Sequence, residues 1–258
     1  MYEGLMVHCG GEVIPRPQLE MVPTPEGTSS WCPIPHIELL DEIDYALGRL
    51  PDISVEKEEH ALNHNGDEYF GLLHISRESQ YGEIYETVIG VRNAHNKKFS
   101  AGIVIGKSVF VCDNLCFSGD VRLTRKHTPK ISVELPGLIR EATIRLLGIA
   151  ERDDDRTTAY IGTRLAEDRA AHALLQIHES GGVPAQAIGK IWQEYKTPSH
   201  DEHLNEYGDQ TVWTLAQALT QVHRPTAMNI LTEYPTRTIK QNRVLDAIAG
   251  VDYQTLAA

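Results

Sequence analysis

Residues 101–111, AGIVIGKSVFV, decide the fold class of this chain. β-Branched residues dominate the stretch, and Gly106-Lys107 divides it into two short apolar runs. Glycine supplies the positive φ that tight turns require, so the pattern predicts two antiparallel strands joined by a hairpin at Gly106-Lys107. One face of that hairpin would carry the side chains of Ile103, Ile105, Val109 and Val111.

Similar short strands lie on both sides of this stretch. The runs EYFGLLHI (68–75), IYETVIGV (84–91) and DVRLT (120–124) are separated by turn-forming residues. A continuous antiparallel sheet is the simplest way to pair them. The first 35 residues are rich in Pro and Gly and predict irregular chain, and apolar spacings of three and four over 36–50 then predict an amphipathic helix.

A helical pattern begins after the strands. Pro136 is suited to the first position of a helix, and the acidic residues 153–155 are suited to the start of a second helix that stops at Gly181-Gly182. Further helices are predicted over 184–196, 209–223 and 238–250. We therefore predict a single α+β domain over 1–258. An antiparallel, β-rich half (1–135) with one early helix precedes a helical half (136–258).

The composition limits the class of protein. An apolar fraction of 41% and a charged fraction of 23% are typical of globular chains. No apolar run is long enough for a membrane span, and the N-terminus lacks the pattern of a signal peptide, which predicts a cytoplasmic protein without a membrane partner. Reduced thiols are expected, because the few cysteines do not form a disulfide framework. They are Cys9, Cys32, Cys112 and Cys116. No cofactor is predicted.

The charge is unevenly distributed along the chain. Residues 1–90 carry a net charge of -13, residues 91–146 carry +6, and residues 147–258 carry -5, within a total of -12. A basic middle segment between acidic flanks predicts a local anion site, the alternative being that its cations pair with the acidic first third. The candidate nucleic-acid contacts are Arg92, Asn93, His95, Lys97, Lys98, Lys107, Arg122, Arg125, Lys126 and His127.

The expected position of these cations at one end of the sheet favours a nucleic acid as the partner. If alternate turns of the sheet lie at one end, the cations would form one water-accessible ridge, where each phosphate contact adds affinity through counterion release. Aromatic residues nearby offer stacking faces for unpaired bases, although Phe110 is expected in the core. These residues are Tyr85, Phe99, Phe110 and Phe117.

The sequence patterns that would indicate catalysis are weaker than those that indicate anion binding. The chain has no GxSxG, Walker-type or GxGxxG motif, so a non-enzymatic role is the leading hypothesis. His60 and His64 have the HxxxH spacing, but that spacing binds zinc only on a helix, and the local pattern predicts a strand. No metal site is therefore predicted. A metal-dependent hydrolase or nuclease stays open as an alternative, built from His60, His64, His95, Asp113 and His127.

The central block RNAHNKKFSAGIVIGKSVFVCDNLCFSGDVRLTRKHT (92–128) resembles the signature of an uncharacterised family found in phages, plasmids and prophages, domain of unknown function 932. TPEGTSSWCPIPH (24–36), DEYFGLL (67–73) and TVWTLAQALTQVHRP (211–225) are also similar to its pattern. Ala94 and Asn96 depart from it, where Ser and Asp are usual. The resemblance implies a setting in DNA metabolism, recombination or interference with host defence.

Two functions are consistent with these observations besides the hydrolase. The first is a homo-oligomeric mobile-element protein that binds nucleic acid through the basic segment, with a fold-level analogy to ring-forming single-strand annealing proteins. The second is an acidic module that binds a host protein, since the surface of residues 1–90 could mimic the charge of DNA.

Overall fold

A computed structural model describes residues 11–63, 65–82, 85–109, 114–199, 208, 210–222 and 230–252, with residues 108–109, 114–122 and 230–235 described by backbone alone. Six strands form one antiparallel sheet, and each strand pairs with its neighbours in sequence. This confirms the predicted sheet. The strands are β1 (Glu12–Ile14), β2 (Ser54–Leu62), β3 (Glu68–Ser76), β4 (Tyr85–Ala94), β5 (Ala101–Val109) and β6 (Asn114–Arg125).

Helices follow the sheet, which confirms the α+β class. None of the described helices is both long and apolar enough to cross a membrane. The helices are α1 (Pro17–Glu20), α2 (His36–Leu47), α3 (Ile131–Gly162), α4 (Glu167–Glu179), α5 (Ile188–Lys196), α6 (Val212–Val222) and α7 (Ile230–Ala249).

One face of the sheet is buried against α2 and the first half of α3. Ile89 of β4 lies opposite Ile105 of β5, and both join a hydrophobic cluster that includes Leu40 of α2 and Ile139 of α3. None of the four side chains is more than 1% exposed. Burying a side chain of this size contributes about 2 kcal/mol, so this face supplies much of the driving force for folding.

The first two predicted helices are separated at residues 163–166, between α3 and α4, and not before the acidic residues 153–155. α3 begins at Ile131, before Pro136, and continues through the acidic residues 153–155 to Gly162. Pro136 removes one backbone hydrogen bond in the second turn. Burial of Ile131 and Leu135, at 0% and 2% exposure, anchors the turn before the proline and offsets that loss.

The predicted hairpin turn at Gly106-Lys107 is wrong. β5 runs unbroken from Ala101 to Val109, and both residues of the dipeptide pair with β4. Gly106 instead marks a register shift between β5 and β6, a position where glycine is common in strands. The connection to β6 and the side chain of Val111 lie outside the described residues.

The N-terminal stretch is more regular than predicted. β1 pairs with the end of β2, with Glu12 opposite Leu62 and Ile14 opposite His60. Ile14 is 8% exposed and belongs to the main hydrophobic cluster. The abundance of Pro and Gly hid this short edge strand.

A second hydrophobic cluster unites the helical half. α4, α5, α6 and α7 pack with the C-terminal part of α3, and Trp213 of α6 is 1% exposed among them. Tyr85 of β4 belongs to the same cluster, so it links the helices to the sheet. The amphipathic patterns that predicted these helices are thus confirmed as packing faces.

Ion pairs also join the sheet to α3. Arg77, after β3, donates two hydrogen bonds to the carboxylate of Asp154, at 2.7 and 3.0 Å, and the hydroxyl of Tyr85 donates a further one. Burial raises the pKa of Asp154, but these hydrogen bonds outweigh it, and the net effect is a lowered pKa. The carboxylate therefore remains charged and fixes α3 across the sheet.

Gly71→Ala is expected to lower the free energy of unfolding by about 1–3 kcal/mol. A Cβ atom at position 71 would lie 3.0 Å from Cζ of Tyr69. That ring is fully buried, and its hydroxyl is 3.0 Å from Nδ1 of His60, so it has no room to withdraw. Chemical denaturation measures the change.

Gly189→Ala is the matched control, because a Cβ atom there meets open space on α5. It is expected to be neutral or to stabilise the helix by up to about 1 kcal/mol. Similar losses in both variants would contradict the assignment of a packing constraint to Gly71.

Candidate nucleic-acid interface

Three parts of the chain meet at one end of the sheet. Residues 95–100 connect β4 to β5, and residues 126–130 connect β6 to α3. Both connections lie at the same end, because Ala101 of β5 pairs with Arg125 of β6. The segment before α2 is held beside them by a hydrogen bond of 2.9 Å from the backbone N–H of Cys32 to the carbonyl oxygen of His127.

Five cations lie at this end of the sheet. Lys98 is 54% exposed and pairs with Glu68 at 3.1 Å, and Arg125 pairs with Glu134 of α3. The other three are exposed and form no ion pair with the residues that the structure describes. We call this set the basic rim: Lys97, Lys98, Arg125, Lys126 and Lys130.

An aromatic ring adjoins the basic rim. Nζ of Lys97 lies 4.6 Å from the ring centroid of Trp31, a cation–π contact, and the Trp31 and His127 rings are 6.5 Å apart between centroids. Lys97 has a φ of 65°, in the left-handed region that tight turns use. The rim therefore combines charge with a partly exposed aromatic face, although no sequence pattern had singled out Trp31.

Two predicted contact residues lie inside the protein instead. Arg92 is 3% exposed, with its guanidinium 5.1 Å from the ring centroid of Phe99, and Lys107 is 7% exposed. Both stand within strands, Arg92 in β4 and Lys107 in β5, whose described side chains are all buried except that of Glu86. The prediction that they share a water-accessible ridge with the loop cations is wrong.

Lys107 belongs to a buried polar site under the helical half. Its ammonium donates a hydrogen bond of 3.0 Å to Oγ1 of Thr157 and lies 5.5 Å from the ring centroid of Trp213. A cavity of about 20 Å³, enough for about one water molecule, adjoins it. Arg156 on the cavity wall pairs with Asp153 at 2.7 Å, so the site holds opposite charges rather than a cationic surface.

Asn93 connects the three segments at the rim end from within. Its Nδ2 donates to the carbonyl oxygen of Ile34, at 2.9 Å, and to Nδ1 of His36, at 3.0 Å. Its Oδ1 accepts a hydrogen bond of 2.7 Å from Nε2 of His127. Asn93 is 0% exposed and His127 5% exposed, so both are internal and were wrongly placed on the binding surface by the sequence analysis.

The histidines around Asn93 are held in one tautomer. His36 and His95 stack at 3.9 Å between ring centroids, and each donates its Nε2–H to a carbonyl oxygen, of Gly66 at 3.0 Å and of Ile34 at 2.8 Å. Since each ring already donates from Nε2, the neutral form satisfies the cluster. His95, 5% exposed, is another predicted contact that is internal.

Burial shapes the acid–base behaviour of these rings. Loss of water, together with the nearby His95, lowers the pKa of His36 to about 3 and that of His127 to about 4. Burial also lowers the pKa of His95. All three are therefore neutral near pH 7 and add no positive charge to the rim.

Several predicted residues lie outside the described part of the chain. The backbone of Arg122 belongs to β6, but its side chain is not described, nor are those of Phe110 and Phe117. His64 and Asp113 are not described either, nor are the side chains of the cysteines other than Cys32. Cys32 is a partly buried free thiol.

The described residues show no arrangement that supports the metal-site alternative. His60 lies on a strand, where Nε2 is 3.0 Å from Oε2 of Glu58 and Nδ1 is 3.0 Å from the hydroxyl of Tyr69. His95 and His127 are likewise engaged with the protein. Within the described ranges, no group of three or more His, Cys, Asp or Glu side chains is arranged to hold a metal ion.

Comparison with known proteins adds no relative. The chain matches no protein-family model, no curated protein and no solved structure. The basic rim and its surroundings are therefore interpreted from their own geometry.

Asn93→Ala is expected to lower the free energy of unfolding by about 2–4 kcal/mol, because its buried partners on two other segments lose their hydrogen bonds. Asn96→Ala is the control. Asn96 is exposed, donates a hydrogen bond of 2.8 Å to Glu68 and accepts one of 3.0 Å from the backbone N–H of Lys98, and because water can replace both, their loss is expected to cost about 1 kcal/mol. Urea denaturation compares the two. Equal effects would show that Asn93 is not a structural junction.

Stability is expected to be highest near neutral pH. The three histidines around Asn93 have lowered pKa values in the folded state, so their contribution to stability is present above about pH 6.5 and is lost as the pH falls below it. For His36 and His127 the loss continues toward pH 4, by about 1.4 kcal/mol per pH unit for each. Burial lowers the pKa of His74, but hydrogen bonds to Glu59 and Glu86 outweigh it and raise it to about 9. That contribution is complete below pH 6.5 and is lost as the pH rises toward 9.

His127→Gln separates these effects, because an amide can still donate to Asn93 but does not titrate. Between pH 6 and 4.5 the slope of the unfolding free energy against pH should fall by about 1.4 kcal/mol per pH unit. His172→Gln, on the exposed face of α4, controls for the loss of an imidazole. An unchanged slope in His127→Gln would contradict the buried, neutral state.

Proposed function

We propose that this chain is a non-enzymatic nucleic-acid-binding protein that contacts phosphates through the basic rim. The observation that carries the proposal is the exposure of Lys97, Lys126 and Lys130 at one end of the sheet, without ion pairs to the described residues. The residues that bind are thus the cations of the two connections and Arg125 at the end of β6, and not the buried Arg92 and Lys107.

The electrostatics of the chain favour weak, salt-dependent binding. Three to five phosphate contacts to a single strand give a salt slope of roughly -2 to -3.5, and the overall charge of -12 opposes approach away from the rim. Trp31 beside Lys97 offers a stacking face, which unpaired bases can use and paired bases cannot. We therefore expect single-stranded nucleic acid to bind more tightly than duplex.

The resemblance to the mobile-element family supports a role in DNA metabolism or recombination. Several rim residues, Lys97, Lys98, Arg125 and Lys126, lie within the block that carries this resemblance. Under this proposal the protein acts in the cytoplasm of a bacterial cell that hosts a phage or plasmid, and it acts as a homo-oligomer.

A charge-matched pair of triple variants tests the proposal. Lys97, Lys126 and Lys130 are replaced together by Ala in one, and the exposed Arg169, Lys190 and Arg243 of the helical half are replaced in the other. Both lose three positive charges, but the rim variant should lose at least tenfold in affinity and about 2 units of salt slope for single strands. Fluorescence anisotropy with labelled single strands and duplex, over a range of salt concentrations, measures both.

Equal losses in the two variants would show that the overall charge, not the rim, governs binding. Absence of binding to either nucleic acid at low salt would contradict the proposal. The acidic face of α2 would then be the surface to test for binding to basic proteins. On that face burial raises the pKa of Glu38, and the nearby Glu42 and Asp41 add to this effect.

A further inference from the structure

The outward face of α3 is open to water along its first six turns. Val133 is 81% exposed and Ile144 is 63% exposed, and they are among the most exposed large apolar side chains of the described chain. A Cβ atom at Gly137 or Gly148, on the same face, would meet nothing within 4 Å. Exposed charges accompany them at Lys130, Arg140, Glu141 and Glu151.

These eight residues occupy one stripe. At 100° per residue, positions 130, 133, 137, 140, 141, 144, 148 and 151 fall within a sector of about 100°. That sector is the width of a helix-packing face. The opposite side of α3 carries Leu135, Ile139 and Leu146, which are buried against the sheet.

The stripe is complementary to itself when reversed. Consider a second stripe that runs in the opposite direction, with both stripes centred between Arg140 and Glu141. Each bulky residue then lies opposite a glycine: Val133 faces Gly148, and Ile144 faces Gly137. The same operation places Arg140 opposite Glu141 and Lys130 opposite Glu151. Every residue of the stripe thus meets one of complementary size or opposite charge.

We propose that two copies of this chain associate through α3, antiparallel, with a two-fold axis between Arg140 and Glu141. A two-fold interface uses the same patch on both subunits, which is the symmetry of this stripe. Each bulky side chain enters the space above a glycine of the second copy, so the helix axes approach closely. Both charge pairs occur twice, and they select the antiparallel register.

The pairing is expected to be weak and dependent on concentration. The stripe spans 22 residues, or roughly 33 Å of helix, and a single helix pair of this length buries less than the ~1,000 Å² typical of stable interfaces. A dissociation constant on the order of 10–100 µM is therefore expected. The interface shares Lys130 with the basic rim, and the other four rim cations lie outside it and remain available to phosphates.

Charge reversal at the centre of the stripe tests the register. Arg140→Glu places two carboxylates opposite each other at both symmetry-related positions, and Glu141→Arg places two guanidinium groups there. Each variant alone should dimerise at least tenfold more weakly than the wild-type chain. An equimolar mixture of the two restores both opposite-charge pairs and should form a heterodimer of near wild-type affinity.

Sedimentation velocity on the full chain, from low micromolar to several hundred micromolar, measures each association. Arg169→Glu, on the exposed face of α4, is the control and should dimerise as the wild type does. Ile144→Ala removes an apolar contact without a charge and should also weaken the dimer. Circular dichroism verifies that the variants fold, which is expected because all three α3 side chains are exposed.

The proposal is overturned if the wild-type chain stays monomeric throughout this range. It is equally overturned if the single variants dimerise normally, or if their mixture stays monomeric. Nucleic-acid binding by the Arg140→Glu variant is measured in parallel. Binding that persists in a monomer separates the failure of this interface from a failure of the basic rim.

Discussion

A buried amide with no access to water has to find all its hydrogen-bond partners within the protein, and Asn93 finds them on two segments other than its own strand. Its donor reaches the chain before α2, its acceptor reaches the connection to α3, and its backbone belongs to β4. Because an unpaired buried amide costs more than most single contacts contribute, these segments come together or not at all. The exposed rim owes its geometry to this internal junction.

The strands and most helices can be predicted from the local sequence pattern, but which Lys and Arg side chains are buried cannot. Lys97 and Lys126 flank strand ends and are exposed, as expected of polar residues in connections. Arg92 and Lys107 are equally basic in sequence, yet they lie within strands covered on both faces. Only the tertiary contacts of Lys107 with Thr157 and Trp213, far along the chain, show why a cation is stable there.

Two errors of the sequence analysis have a common origin. Gly106 and Pro136 are both strong local signals, of a turn and of a helix start, and in both cases the chain continues in regular structure. In each case the energy of packing an apolar face exceeds the local preference of one residue. His36 and His95 show the converse: each donates a hydrogen bond to a backbone carbonyl, which leaves no mark on the sequence.

α3 gives the two halves of the chain a common backbone. Its 32 residues form a rod of roughly 48 Å, whose beginning lies in one hydrophobic cluster and whose end lies in the other. Neither half is therefore a self-sufficient unit. A fragment cut within this helix would retain an apolar surface with nothing to cover it, and would be prone to aggregate rather than to fold alone.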